Sequence, residues 1–431
     1  MEELLPTIFY FGGFFVLLFF CIRNKMGLIP IYICSIWLIS ALLAILFHAA
    51  ASFSYQRIAY LPYVYMHLCF LLSFLPIIKI EKMNRSRFEM KNDKIIVSIM
   101  YFFVIVSIVP FIENLNYFLT SYGGDSTVDL AEVYNDKMYG EGVKITWLSS
   151  IGKIGNSIDG IFYKFLVFAP FYLLSYGKIK KTFLLLMFLP VMNHLIFQLC
   201  SSGRGTVVNF ILMSLFLFLF FRKQIPIQLK RSIIRYGGIV FVCIGIALSI
   251  LTIARKDASN RDALTSVVVG YYVAKSHLDF NEDMWHIKKH TEGDNSFPFA
   301  KRILGMHTPE NKNDYWHYGK IGIEPYLFYT YIGDWFMDFG AIITLSLFFM
   351  IYIIARCFFI TNKKNSLLKL FMVYVYCDVL IMGWSINTYK TEGAMRNLIF
   401  NIILILIIQY LSQLRYKKTR LHNLLPSIKD D

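Results

Sequence analysis

Arginines set in an apolar sequence are the residues of this chain best suited to chemistry. The hydrophobic run 182–221 is interrupted once, by Ser201-Ser202-Gly203-Arg204-Gly205, and Arg255 and Arg261 follow directly on the apolar stretch 237–253. Arginine is among the costliest side chains to hold at membrane depth. Its planar guanidinium also grips a phosphate through two parallel hydrogen bonds, which an ammonium cannot do. Arg396 and Lys390 stand just before the last apolar run, 398–414. If these cations share one side of a membrane, they describe a site for a phosphorylated lipid. The glycines beside Arg204 would also let backbone amides approach a phosphate closely. The plainer reading makes Arg204 an exposed turn, but two serines and a glycine would form that turn without a charge. Arg255 and Arg261 are weaker singly, because snorkelling arginines at a span end are ordinary.

A second constellation runs from Tyr315-Trp316-His317-Tyr318-Gly319 through Glu324-Pro325-Tyr326 to Gly333-Asp334-Trp335-Phe336-Met337-Asp338-Phe339-Gly340. Asp334 and Asp338 are spaced i, i+4 and share one helix face. Two neighbouring carboxylates can have separated pKa values and divide acid and base roles. The plainer reading is that acids at a helix start favour its dipole. Glu324, His317 and Asp334 are candidate general bases and Asp338 a candidate substrate contact, while the tyrosines and tryptophans from Tyr315 to Trp335, Tyr326 among them, suit a headgroup boundary or a sugar-binding cleft. His286 and His290 lie beside Lys288 and Lys289, and Asp125, Asp129, Glu132 and Asp136 form one helical stripe. Both patterns read as solvated faces, so no metal or other cofactor is expected.

Composition places these residues in a membrane. The chain of 431 residues is 57% hydrophobic and only 16% charged, too few charges to clothe a soluble globule of that size. A helix crossing about 30 Å of hydrocarbon needs roughly 20 apolar residues. By that criterion the expected fold is all-α, a polytopic membrane protein of about eleven transmembrane helices. These are expected near 4–22, 27–47, 61–80, 95–112, 158–176, 182–200, 206–221, 237–253, 339–356, 370–384 and 398–414, within one integral membrane domain over 1–431. The Glu2-Glu3 start is unlike the basic start of a cleaved signal. The seven cysteines lie in or beside apolar runs and read as packing residues.

The net charge of +15 could suggest nucleic acid, but the bases cluster in short loops beside apolar runs, so no nucleic-acid partner is expected. Loops after odd-numbered spans carry Arg23 and Lys25, then Lys178, Lys180 and Lys181, then Arg222, Lys223, Lys230, Arg231 and Arg235. The positive-inside rule then puts the N-terminus outside, the C-terminus in the cytoplasm, and two long loops, 113–157 and 255–337, outside. Within the second loop, Leu264, Val267, Val268, Tyr271 and Tyr272 form an apolar helical stripe, expected to lie in the outer interface.

The multispan pattern, the arginine-bearing break 201–205, and a long loop ending in Tyr326, Asp334 and Met337-Asp338-Phe339-Gly340 resemble the O-antigen and capsule polymerases of the Wzy class. The resemblance covers most of the chain in architecture and only short motifs in detail. An arginine-x10-glycine spacing found in some members is absent, since Ser266 and Tyr272 occupy those positions. It implies a glycosyltransferase of the bacterial inner membrane that polymerises undecaprenyl-pyrophosphate-linked oligosaccharide repeat units on the outer face. Its partners would be those lipid-linked glycans, the bilayer and a chain-length regulator. Arg204, Arg255 and Arg261 would stabilise the pyrophosphate leaving group, with Lys390 and Arg396 binding substrate. A glycan ligase and a lipid-linked oligosaccharide flippase are the alternatives. A flippase would place charges along a path through the spans.

Overall fold

The computed structural model describes residues 4–50, 55–83, 93–123, 145–175, 183, 186–201, 203–235, 237–238, 265–306, 308, 329–360 and 366–424. The protein is an all-α, polytopic helical membrane protein. Among the described residues seven helices are long and apolar enough to cross a membrane: Leu5–Arg23, Leu28–Ala50, Tyr60–Glu81, Lys94–Thr120, Ser150–Leu174, Thr330–Phe359 and Glu392–Leu414. Leu189–Cys200 and Gly205–Phe221 are shorter apolar helices. The expected span 237–253 lies, but for its first two residues, outside the described ones.

The chain divides into two compact units. The first comprises Met1–Ser86, Ala263–Lys363 and Val373–Arg396. It contains α1 (Leu5–Arg23), α2 (Leu28–Ala50), α3 (Tyr60–Phe74) and α4 (Ile77–Met83). Its core is aromatic: Tyr10, Phe14, Trp37, Tyr63 and Phe70 are fully buried, with Tyr10 stacked on Tyr63 at 4.4 Å between ring centroids. The second unit comprises Arg87–Asp262, Lys364–Met372 and Asn397–Asp431. It holds α5 (Asp93–Gly123), α6 (Ser150–Leu174), α7 (Leu189–Cys200) and α8 (Gly205–Phe221).

Helix ends differ from the expected loop bounds. Helix α5 continues to Gly123 and α6 begins at Ser150, so both flanks of the expected loop 113–157 are helical. Ser149 sets the start of α6, its hydroxyl accepting the Gly152 N–H at 3.0 Å. The expected interfacial segment forms α9 (Thr265–Glu282), which packs against α2. The side chains of its expected apolar stripe lie outside the described residues. Its second half is buried and polar: Ser276, His277, Asp279 and Asn281 are each 2% exposed or less. Such groups need partners inside. Ser276 donates to Trp384 O at 2.6 Å, and Asn281 pairs with both backbone groups of Ala59. Burial drives the His277 imidazole down to about 3, so it packs as a neutral ring 2.9 Å from the Tyr10 hydroxyl.

Candidate functional site

The charged cluster of the first unit is built on a broken helix. Helix α10 (Pro298–Ile303) is short, and α11 (Thr330–Ile360) follows it. Within α11, Gly340 adopts φ 70°, ψ −179°, which divides the helix after Phe339. That region is essentially closed to residues with a Cβ. A break inside an apolar helix frees carbonyls that lipid cannot satisfy. Here Thr291 N–H donates to Met337 O at 3.1 Å and Glu292 N–H to Asp338 O at 3.0 Å. Thr344 closes the break from the other side, its hydroxyl donating to Trp335 O at 2.9 Å.

The same break places the carboxylates. Asp338 is 1% exposed and accepts the Thr291 hydroxyl, the Asn295 N–H at 3.0 Å and the Ser296 N–H at 2.8 Å. These bonds fasten the loop 291–296 to α11. Asp334 lies one turn earlier, fully buried. It accepts Lys390 Nζ at 3.0 Å, Asn295 Nδ2 at 3.2 Å and the Asn387 N–H at 2.8 Å. Lys390 sits between α12 (Leu367–Met382) and α13 (Glu392–Leu424). The connection it belongs to also caps the start of α11, since Gly383 O and Ser385 O accept the N–H groups of Tyr331 and Thr330. Lys390 keeps 15% of its side chain exposed, enough to reach a ligand while one donor holds Asp334.

Other charges of this unit lie nearer solvent. Arg302 pairs with Glu392 at 2.9 Å, and Lys301 with Asp294. Between α12 and α13, the Tyr389 hydroxyl donates to Asp378 at 2.8 Å. Burial and that neighbouring carboxylate push the Tyr389 phenol well above its ordinary range. Trp335 packs its ring on Phe348, with centroids 5.0 Å apart, and against Phe297. One of its faces is therefore occupied by protein.

The structure thus brings together Asp334, Asp338 and Lys390, with Trp335 on the same helix. Arg396 is exposed near the start of α13. Arg204 belongs to the second unit, in the turn joining α7 to α8. Its carbonyl accepts the N–H groups of Val207 and Val208, each at 3.1 Å, so it caps the N-terminus of α8. A Cβ added at the neighbouring Gly205 would meet nothing within 4 Å, so there is space beside that glycine. Arg255, Arg261, His317, Glu324 and Tyr326 lie outside the described residues, as do Asp125, Asp129, Glu132 and Asp136. Among the described residues no three His, Cys, Asp or Glu side chains come together as a metal site.

Sequence reasoning missed a second cluster, inside the second unit. Asp159 of α6 is fully buried, its carboxyl 2.8 Å from the Ser107 hydroxyl of α5 and accepting the Asn193 amide of α7 at 2.6 Å. Asn193 in turn accepts Asn114 Nδ2 at 2.8 Å, and Asn114 accepts Trp147 Nε1 at 2.9 Å. The available signal was the run Gly152, Gly155, Asn156 and Asp159, small and polar residues on one face of a helix. Placing residues up to 157 in a loop concealed that periodicity. Comparison with protein-family models, with curated proteins and with solved structures finds no match for this chain.

Proposed function

We propose that this protein is a membrane glycosyltransferase that polymerises undecaprenyl-pyrophosphate-linked oligosaccharide repeat units on the outer face of the bacterial cytoplasmic membrane. The observation that carries the reading is the glycine-flanked turn at Arg204, which begins α8. A guanidinium there, on a glycine-flanked turn that begins a helix in a polytopic membrane protein, suits a lipid phosphate. The growing glycan on one lipid pyrophosphate is the donor, and the pyrophosphate leaves as an acceptor hydroxyl attacks the sugar. Arg204, Arg255 and Arg261 neutralise the charge that develops on it. Lys390 and Arg396 bind the incoming lipid-linked unit, and a chain-length regulator is a further partner. The base comes from His317, Glu324 and Asp334. The three hydrogen bonds that Asp334 already accepts favour the first two, with Asp334 orienting Lys390.

The test is glycan length in cells, with protein abundance measured alongside. Arg204→Ala should abolish long polymer at normal abundance. Arg204→Lys should restore part of it, because an ammonium lacks the bidentate grip. Wild-type polymer from Arg204→Ala would reduce Arg204 to a turn residue. Purified protein with lipid-pyrophosphate repeat units should form polymer in excess chelator, since the guanidinium groups supply the charge stabilisation a divalent ion would give.

One observation favours a second reading, the flippase. Lys164 lies within a helix long and apolar enough to cross a membrane, as a charged path through the spans requires. Polymer formation in detergent micelles, where there is no compartment to transport across, separates the two.

A further inference from the structure

Asp159 is an ionisable group that the proposed glycosyl transfer does not use, and its hydrogen bonds report its protonation state. The Ser107 Oγ atom lies 2.6 Å from Phe103 O and 2.8 Å from Asp159 Oδ1. A hydroxyl carries one hydrogen, which shared between both acceptors in a three-centre bond would point squarely at neither. The second short oxygen–oxygen contact needs another hydrogen. A backbone carbonyl has none to give, which leaves the carboxyl of Asp159. In the neutral acid, Asp159 O–H donates to Ser107 Oγ and Ser107 O–H donates to Phe103 O. The other carboxyl oxygen accepts the Asn193 amide, and each contact then holds one hydrogen. In the carboxylate, the one hydroxyl hydrogen is split between two acceptors, or one contact is left as two facing lone pairs.

The neighbouring amides are oriented by a donor that cannot reverse. Trp147 Nε1 only donates, so Asn114 must turn its oxygen to it and its nitrogen to Asn193 Oδ1. Asn193 is thereby left with its N–H groups facing Asp159. Among the described residues Asp159 has no ion-pair partner. Ionisable groups on the elements around it have partners of their own. On α5, Glu113 accepts the Ser149 N–H at 3.2 Å. On α6, Lys164 donates to Asn209 at 3.1 Å, and Tyr163 packs its ring on His194 of α7 at 4.6 Å. Asn397 and Asn401 of α13, both neutral, reach the backbone of α6.

The junction is also closed. Pro110 has no N–H, so Val106 O loses its usual partner within α5. Gly155 of α6 packs there, where an added Cβ would stand 2.7 Å from that oxygen. Side chains of ordinary size would hold the two helices apart and admit water beside Asp159.

We infer that Asp159 is an intramembrane proton-binding site, occupied as a neutral carboxylic acid while α5, α6 and α7 are packed as seen. Release leaves a carboxylate and a free proton, and an unpaired carboxylate in this setting requires water or a cation. Proton release is therefore tied to opening of the α5–α6 contact. The inference rests on the second unit alone and is independent of the proposed polymerase activity.

The test is infrared spectroscopy of the full chain in lipid nanodiscs at about pH 7, where an unperturbed carboxyl is ionised. The wild-type minus Asp159→Asn difference should show a carboxylic acid C=O band that shifts in D2O. Ser107→Ala, which removes the acceptor, should move that band to higher frequency. Asp159→Asn replaces O–H by N–H at the same place, so its thermal midpoint should stay near the wild-type value. A difference spectrum showing only carboxylate bands would overturn the inference. So would loss of the acid band when sodium replaces a large organic cation, which would make this a cation site. If Asp159→Asn does not assemble, the Ser107→Ala difference carries the test alone, and an unmoved acid band refutes the assignment.

Discussion

Gly340→Ala tests the broken helix on which the first unit's charged cluster depends. Two costs are in play. The backbone at φ 70°, ψ −179° is one that L-residues rarely occupy, and forcing alanine into it costs about 1–3 kcal/mol. An added Cβ would also stand 2.6 Å from His290 Nε2. His290 is exposed, so its ring can swing toward solvent and relieve that contact. The backbone term should therefore dominate. Denaturation of the full chain in mixed micelles should show a loss of about 1–3 kcal/mol for Gly340→Ala. Adding His290→Ala should recover only a few tenths of that, roughly 0.5 kcal/mol or less. Hydrogen exchange should show where the loss falls, with the amides of Thr291, Glu292, Asn295 and Ser296 exchanging faster because their acceptors, on Met337 and Asp338, lie in the last turn before the break. A Gly340→Ala protein as stable as wild type, with those amides still protected, would mean the helix is not divided there. Full recovery in the double variant would make sterics the controlling term.

Lys390→Met leaves the buried Asp334 carboxylate without its cation and should cost about 3–5 kcal/mol, while Asp334→Asn with Lys390→Met should recover most of it; additive losses would mean the two do not act as a pair. Burial pushes the Asp279 carboxyl up to about 7 against the attraction of Lys275. A raised acid contributes stability that is present below its unfolded value near 4 and is lost as pH rises through about 7, on the order of 4 kcal/mol in all. Asp279→Asn should flatten that slope in a denaturation series, and an unchanged slope would refute the assignment. For topology, a cysteine at Asp125 should be labelled by an impermeant reagent in intact spheroplasts, and protection there would reverse the proposed orientation. Lys288, which is exposed and lies in the other expected outer loop, is the second position.

Apolar runs long enough to cross a bilayer were legible in the sequence, because lipid requires each spanning segment to satisfy its own backbone. That requirement writes hydrophobicity, length and helix together. The spacing of Asp334 and Asp338 was legible for a similar reason, since four residues bring side chains to one face whatever surrounds them. Their partners were not. Thr291, Asn295, Ser296, Asn387 and Lys390 come from separate stretches of chain, and only the break at Gly340 and the loops crossing it bring them to those carboxylates. Asp159 shows the limit most plainly. It is the one acid of α6 and reads as a charge beside a loop, and its neutral state follows from a serine on α5 and an asparagine on α7. Which residues could be acidic, basic or membrane-spanning is a property of the covalent chain. Which of them share a hydrogen depends on distances of a few tenths of an ångström, and those are set only when the helices pack.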